Sequence, residues 1–232
     1  MTERASDSEW RDTGGKALTD YPRPSVAVDV AVLTVQTGRL HVLVVGSPRG
    51  GLALPGSFLR PGERLADAAE RALSTKAGMV GADFHQLAMF DAPDRDDRGW
   101  VLSMAHGATL PRDELPRDAE LVRVDGRAAS EPLAFDHADM VSRAVDDLRV
   151  RYGRRIDPSG LLPDTFTVLE LRRLYETVFD RSLPKDSFRR LVIDAIEPTG
   201  RMSTSGAGRP AELFRRHGDA ELPAGAAGLL TD

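Results

Sequence analysis

Two apolar runs rich in β-branched residues, VAVDVAVLTV over 26–35 and LHVLVV over 40–45, alternate in part as strands do. Between them lie Gln36, Thr37, Gly38 and Arg39, a short polar step that signals a hairpin. Further strands are expected at 85–91, 99–107 and 119–124. The period changes twice from two to about 3.6. Leu65, Ala68, Ala69, Ala72, Leu73 and Lys76 recur at helical spacing, opened by Pro61-Gly62-Glu63 and closed by Gly78, which predicts a helix over about 65–77. Met140, Val141, Ala144, Val145 and Leu148 form the buried stripe of a second helix over 136–152.

A separate unit begins after the Pro158-Ser159-Gly160 turn. Thr165 is placed to cap a helix over about 168–179, with Leu169, Leu171, Leu174, Tyr175 and Val178 as its apolar positions and Glu170 in the first turn. Arg181-Ser182-Leu183-Pro184 turns the chain. A second helix then runs from Lys185 through Ile196, with Phe188, Leu191, Val192 and Ala195 inward and Arg189 and Arg190 outside. Residues 196–202 and 211–216 can pair as strands around a glycine-rich loop, and helix, turn, helix and hairpin make a winged helix.

Charge divides the chain at the same place. Residues 1–150 carry 18 Lys and Arg against 24 Asp and Glu, whereas residues 151–217 carry 13 against 9. An acidic front and an arginine-rich back point to different partners, with nucleic acid the natural one for the back. The 232 residues allow two small domains. The absence of cysteine excludes disulfides and thiolate-bound zinc. No run of about 18 apolar residues exists, and the polar start lacks a signal-peptide core. The expectation is a soluble, cytoplasmic protein with no membrane partner: a flexible leader at 1–20, one domain at 21–155, a second at 156–217 and a flexible tail at 218–232.

The segment SFLRPGERLADAAERALSTKAGM, residues 57–79, resembles a Nudix box: Leu54-Pro55-Gly56, Phe58, Gly62, Glu63, Arg71, Leu73, Gly78 and Met79 fall at its offsets. Four positions depart from it. The opening glycine is Ser57, and Ala72, Thr75 and Lys76 stand where the resemblance implies the glutamates that hold Mg²⁺. All three lie on one helical face. Ala72 offers no ligand, Thr75 a weak one, and the Lys76 ammonium repels a cation in a poorly solvated cleft. Glu70 points to a different face and is a poor substitute. The implied fold is an α/β/α Nudix sandwich followed by a winged helix-turn-helix, with the metal-dependent hydrolysis lost.

The second half carries a further likeness. FTVLELRRLYETVFDRSLPKDSFRRLV and GRPAELFR, following a Nudix domain, resemble the Nudix-related transcriptional regulators of NAD metabolism, the NrtR family; the match covers about residues 22–216. That resemblance implies a repressor of NAD biosynthetic or salvage genes, binding operator DNA as a homodimer, with ADP-ribose or a related NAD-derived nucleotide as effector and no cofactor required. A sensor that does not hydrolyse its effector keeps its signal.

The candidate ligand residues are Arg49, Arg60, Lys76 and Arg98 for the diphosphate. Phe58 and Trp100 are candidates for the base or ribose, with core packing as the competing role of Phe58. Lys185, Arg189 and Arg190 are expected to reach phosphates or base edges from the second helix, and Arg201, Arg209, Arg215 and Arg216 to meet the DNA backbone from the wing. Two other functions fit parts of the pattern. One is an active nucleoside-diphosphate hydrolase joined to a DNA-binding domain, drawing metal ligands from Asp91, Asp94, Asp96 and Asp97, although these acids with Arg95 and Arg98 read more simply as a solvated loop. The other is a nucleotide-insensitive adaptor.

Overall fold

The computed structural model describes residues 10–203, 210–218, 220–223 and 225–230. β1 (Ser25–Gln36) and β2 (Arg39–Gly46) form the expected hairpin, with Thr37 and Gly38 both at positive φ, 49° and 69°, as the twist of a two-residue turn requires. β3 (Leu52–Ala53) pairs with β2, and β4 (Gly56–Phe58) pairs with β1. After α1 (Leu65–Ala77) come β5 (His85–Phe90), β6 (Val101–Thr109), β7 (Glu120–Asp125), β8 (Ala128–Ala129) and α2 (His137–Tyr152). The main order is β5-β6-β1-β2-β7-β8; β1 and β6 run parallel and the other pairs antiparallel.

β1 is central and buried over eight consecutive residues because both faces of the sheet are covered. Val28, Val30 and Val32 pack with Ala68, Ala69 and Leu73 of α1. The alternate residues Ala31 and Leu33 join Met140, Val141, Ala144, Val145 and Leu148 of α2. Helix, sheet and helix make the three layers anticipated from the sequence. Gly78 ends α1 at φ 65°, its N–H donating to Leu73 O, a left-handed cap that favours glycine.

The back unit contains α3 (Val168–Phe179), α4 (Lys185–Val192), and β9 (Ile196–Met202) paired antiparallel with β10 (Glu212–Arg216). Phe166 adds a two-hydrogen-bond bridge to Phe214. Three details differ from the sequence reading. The cap of α3 is Thr167, not Thr165: its hydroxyl accepts from Glu170 N–H at 3.2 Å while Glu170 accepts from Thr167 N–H at 2.7 Å, a reciprocal capping box. Leu169 is 46% exposed, since it lies two residues from Leu171 and so on nearly the opposite face. α4 stops at Val192 and tightens into a 3-10 turn over Ile193–Ala195, which frees Ile196 to begin β9.

The two units share one continuous apolar core that runs from Leu33 through Leu148 and Tyr152 to Phe166, Tyr175 and Phe188. Polar contacts pin the junction. Arg149 of α2 donates to Val178 O and Gly126 O, each at 2.9 Å. Buried Asp157, at φ 43°, accepts from Tyr152 Oη at 2.7 Å, from the backbone N–H of Leu161 and Leu162 at 2.9 Å, and from Arg216. The ends are also more ordered than composition implies. Ala17 is buried beside a 3-10 turn at Leu18–Asp20, so residues 10–20 do not form a featureless leader. Beyond the second unit, Leu222, Ala226 and Leu230 are buried in the shared core, α5 (Ala226–Leu230) packing on α4. No helix among the described residues is long and apolar enough to cross a membrane.

Candidate functional site

The loop before α1 is tied to the helix by one arginine. Arg71 places Nε and Nη2 on the two oxygens of Glu63, both at 2.8 Å, while Nη1 donates to Ser57 Oγ at 2.5 Å and Nη2 also to Phe58 O at 2.9 Å. This fork holds the Glu63 carboxyl down at about 2, chiefly through the Arg71 hydrogen bonds. The result is a fixed loop that carries Gly56, Ser57 and Phe58 into one wall of a cleft of about 300 Å³.

The floor of the cleft comes from the sheet and from the start of α2. Asp29 on β1 is 7% exposed; Ser103 Oγ on β6 donates to its Oδ2 at 2.6 Å, and His137 Nε2 lies 3.4 Å from its Oδ1. Leu54 N–H donates to His137 Nδ1 at 2.9 Å, so the ring proton sits on Nε2 and faces Asp29. Burial pushes the Asp29 carboxyl up, but His137, Ser103 and the Arg95 charge together bring it below its ordinary value. Gly56 lies against this group: a Cβ there would stand 1.8 Å from Asp29 Oδ1.

The rim is a set of fixed ion pairs. Arg95, its side chain 4% exposed, grips Asp136 through Nε at 2.8 Å and Nη2 at 2.6 Å. Arg98 grips buried Asp96 through Nε at 2.8 Å and Nη2 at 2.5 Å, and those bonds hold the Asp96 carboxyl at about 2. The Arg98 guanidinium lies 5.0 Å from the Phe58 ring centre and 5.1 Å from that of Phe135, a cation between two partly exposed rings. Phe135 adopts φ 55°, a strained conformation for a bulky residue. Its neighbours impose it, because Ala134 N–H is bonded to Leu52 O and Asp136 is clamped by Arg95.

Four of the six candidate ligand residues expected from the sequence, Arg49, Phe58, Lys76 and Arg98, line this cleft. Arg60 does not. Its side chain is exposed outside the lining, and its backbone serves the loop, the N–H donating to the Glu63 carboxylate at 2.9 Å and the carbonyl accepting from Glu63 N–H at 3.1 Å. Phe58 is 41% exposed under Arg98 and not a core residue, while Trp100 is 51% exposed and away from the lining. The loop at 91–98 is only in part the solvated stretch expected: Asp96 and Arg95 turn inward because each finds a bidentate partner, whereas Asp91, Asp94 and Asp97 stay out. Asp29, Arg95, Phe135 and His137 are lining residues that sequence spacing does not reveal.

Four cations, Arg49, Lys76, Arg95 and Arg98, face two carboxylates, Asp29 and Asp96, across the lining. Arg49 is paired with Asp97. Lys76 has no ion pair among the described residues. The positions that would hold a divalent cation do not fit one. Ala72 is a buried methyl with no ligand atom, Thr75 offers only a neutral hydroxyl, which donates to Arg71 O at 2.6 Å, and Lys76 is itself positive. Among the described residues, no three His, Cys, Asp or Glu side chains form a metal-ligating group.

On the back unit, Lys185, Arg189 and Arg190 are exposed on α4 and Arg201 on β9, with no ion pair among the described residues. Arg215 is exposed but bonded to Glu197 across the hairpin at 2.7 and 2.6 Å. Arg209 lies outside the described residues. Arg216 is not a free wing cation, because it turns inward onto Asp157 and over the Phe166 ring.

Known proteins resemble both parts. Residues 158–216 match the family described as the NrtR DNA-binding winged helix domain. An ADPR responsive transcriptional repressor, NtrR, of Acinetobacter baylyi is 31% identical over 211 residues, 85% of this chain and 84% of that protein. Shewanella oneidensis NrtR, crystallised with a 27mer DNA, superposes with a TM-score of 0.67 at 27% identity, covering 88% of this chain and 96% of the other. An ADP-ribose pyrophosphatase of Methanocaldococcus jannaschii is 29% identical over 127 residues, 52% of this chain and 73% of that enzyme.

Proposed function

The chain belongs to the NrtR family of Nudix-related transcriptional regulators, and from that premise we propose that it is an ADP-ribose-responsive repressor of NAD biosynthetic or salvage genes. In this reading residues 21–155 bind ADP-ribose or a related nucleotide without hydrolysing it. Residues 156–217 bind operator DNA, as a homodimer on a two-fold site, in the cytoplasm. Arg49, Lys76 and Arg98 meet the diphosphate and Phe58 the base. Lys185, Arg189 and Arg190 read the DNA groove, and Arg201 and Arg209 meet its backbone, with Arg215, held by Glu197, a weaker contact beside them.

The observation that supports this most is Lys76, which lines the cleft with no ion pair among the described residues while Arg49, Arg95 and Arg98 are each paired with a carboxylate. An ammonium at this position supplies part of the charge that a metal ion brings to a diphosphate in a hydrolase. No cofactor is required. Because the matched pyrophosphatase leaves hydrolysis as the rival function, one titration separates the two. ADP-ribose added to the full chain, with and without Mg²⁺, should bind with heat of comparable size in both and remain intact by chromatography. Mg²⁺-dependent turnover near about 1 per second, an ordinary enzymatic rate, overturns the sensor. Operator fragments in a mobility-shift assay should show an affinity that changes with ADP-ribose, and thermodynamic reciprocity requires DNA to change nucleotide affinity by the same factor.

A further inference from the structure

A carboxylate in the floor of a cleft that is to hold a diphosphate is out of place for phosphate binding alone. Asp29 is nearly buried, sits on the face of β1 that is otherwise apolar, and is negative where a diphosphate would have to approach. Like charges repel strongly at such burial. Packing does not account for it either, since the neighbouring residues on that face of β1, Ala31 and Leu33, are apolar. Yet its surroundings are closely specified. A Cβ at Gly56 would collide with its carboxylate, so the chain passes it there as glycine, and the Leu54 N–H sets the tautomer of His137 that points a donor at Oδ1.

Ser103 and His137 take one position on each oxygen. An ionised carboxylate has about four such positions, so two remain, and it accepts hydrogen bonds only. The cleft therefore contains a fixed acceptor that suits hydroxyl donors and rejects phosphate. The other parts of the cleft are already suited to other groups: exposed Phe58 and Phe135 at the rim to a flat base, and Arg49, Lys76 and Arg98 to phosphates. What is left for the floor is a sugar.

We propose that Asp29 is a specificity-determining residue that accepts the hydroxyls of the distal ribose of the effector, so that the cleft selects a nucleoside diphosphate carrying a second pentose over the bare nucleoside diphosphate. This rests on the cleft being the ADP-ribose site. Asp29 stays charged for the task, because His137, Ser103 and Arg95 together outweigh the effect of burial on its carboxyl.

Calorimetry of the full chain with ADP-ribose and with ADP tests the assignment. Wild type should prefer ADP-ribose by about tenfold or more, the value of one hydrogen bond to a charged group. Asp29→Asn should lower ADP-ribose affinity by a similar factor while ADP affinity stays level or rises, since a negative charge has left an anion site. A merely structural role moves both ligands down together. Equal wild-type affinities, or parallel losses in a variant whose melting temperature is unchanged, overturn the assignment alone. The wild-type comparison decides the matter even if Asp29→Asn does not fold. A wild type that binds neither nucleotide overturns the functional reading and the assignment with it.

Discussion

The cleft and the exposed face of the winged helix both gather basic residues, but they hold them in opposite ways. In the cleft Arg95 and Arg98 are gripped by Asp136 and Asp96 through paired bonds, and one guanidinium is further enclosed by two rings. On α4 and β9, Lys185, Arg189, Arg190 and Arg201 project without ion pairs among the described residues. A small ligand has one shape, so residues fixed beforehand avoid about 0.5–1.5 kcal/mol of ordering per long side chain at binding. DNA presents a repeating polyanion, and there mobile cations that displace counterions suffice for affinity, while a few must align on base edges. Carboxylate partners also lower the net charge of the cleft, which leaves discrimination to geometry.

Arg216 is the sharpest way to break that contrast, because it belongs to the winged helix but is held like a cleft arginine. Asp157→Ala removes its buried partner and also strips acceptors from Tyr152 and from two backbone N–H groups. The expected loss is about 3–5 kcal/mol of stability, as for a buried pair broken on one side. It should appear as a lower denaturation midpoint of the whole chain, since both units share the core around Tyr152 and Tyr175. An unchanged midpoint means that the junction is not a structural hub.

Lys76 is the cleft's exception, a cation with no ion pair among the described residues. Lys76→Glu should weaken ADP-ribose binding by about 1.5–3 kcal/mol if the contact is charge-assisted, with little change in melting temperature because the side chain is exposed. Calorimetry on the folded variant decides it. Full retention of affinity assigns the diphosphate to the arginines alone.

How far these two surfaces could be read from the sequence follows from how local their signals are. The frame around Glu63, Arg71 and Gly78 is contiguous, and its spacing reports a loop, a fork and a cap that the structure contains. The winged helix is likewise sequential. The cleft floor is not: Asp29, Ser103 and His137 meet only because β1 lies parallel to β6 and α2 starts over their ends. No periodicity links residues so far apart. Arg60 lies outside the cleft lining for the converse reason, since closeness to the box in sequence does not say which way a loop side chain turns. The α3 cap shows a smaller failure of the same type. Thr165 and Thr167 both precede the helix, and only the offset to Glu170 distinguishes them.

Arg189 and Arg190 sharpen the other side of the comparison. Each alanine substitution should cost about 1–3 kcal/mol in operator affinity if the side chain reaches a base edge, and should relax sequence preference at one position per half-site. Phe188 and Val192 anchor the helix from beneath, so melting temperature should hold. ADP-ribose affinity measured without DNA should hold as well. If mobility shifts on the cognate promoter are unaffected by either change, the back unit is not the DNA reader, and an adaptor role replaces it.

Arg215 gives the smallest effect and tests whether pairing silences a surface cation. Its guanidinium is bonded twice to Glu197 while remaining largely exposed, so a phosphate nearby meets a nearly neutral pair. An exposed pair of this kind contributes little to stability, about 0–1 kcal/mol. Arg215→Ala should therefore weaken binding to all duplexes by less than about 1 kcal/mol and barely alter the salt dependence, whereas Arg201→Ala removes a charge that has no ion pair among the described residues and should lower the salt slope by nearly one phosphate contact. Glu197→Gln is the informative partner: it releases Arg215, and binding to any duplex should become tighter and more sensitive to salt. Weaker binding by Glu197→Gln means instead that Glu197 orients Arg215 onto its phosphate, and the rule that fixed arginines belong to the cleft and free ones to the DNA face fails at that position.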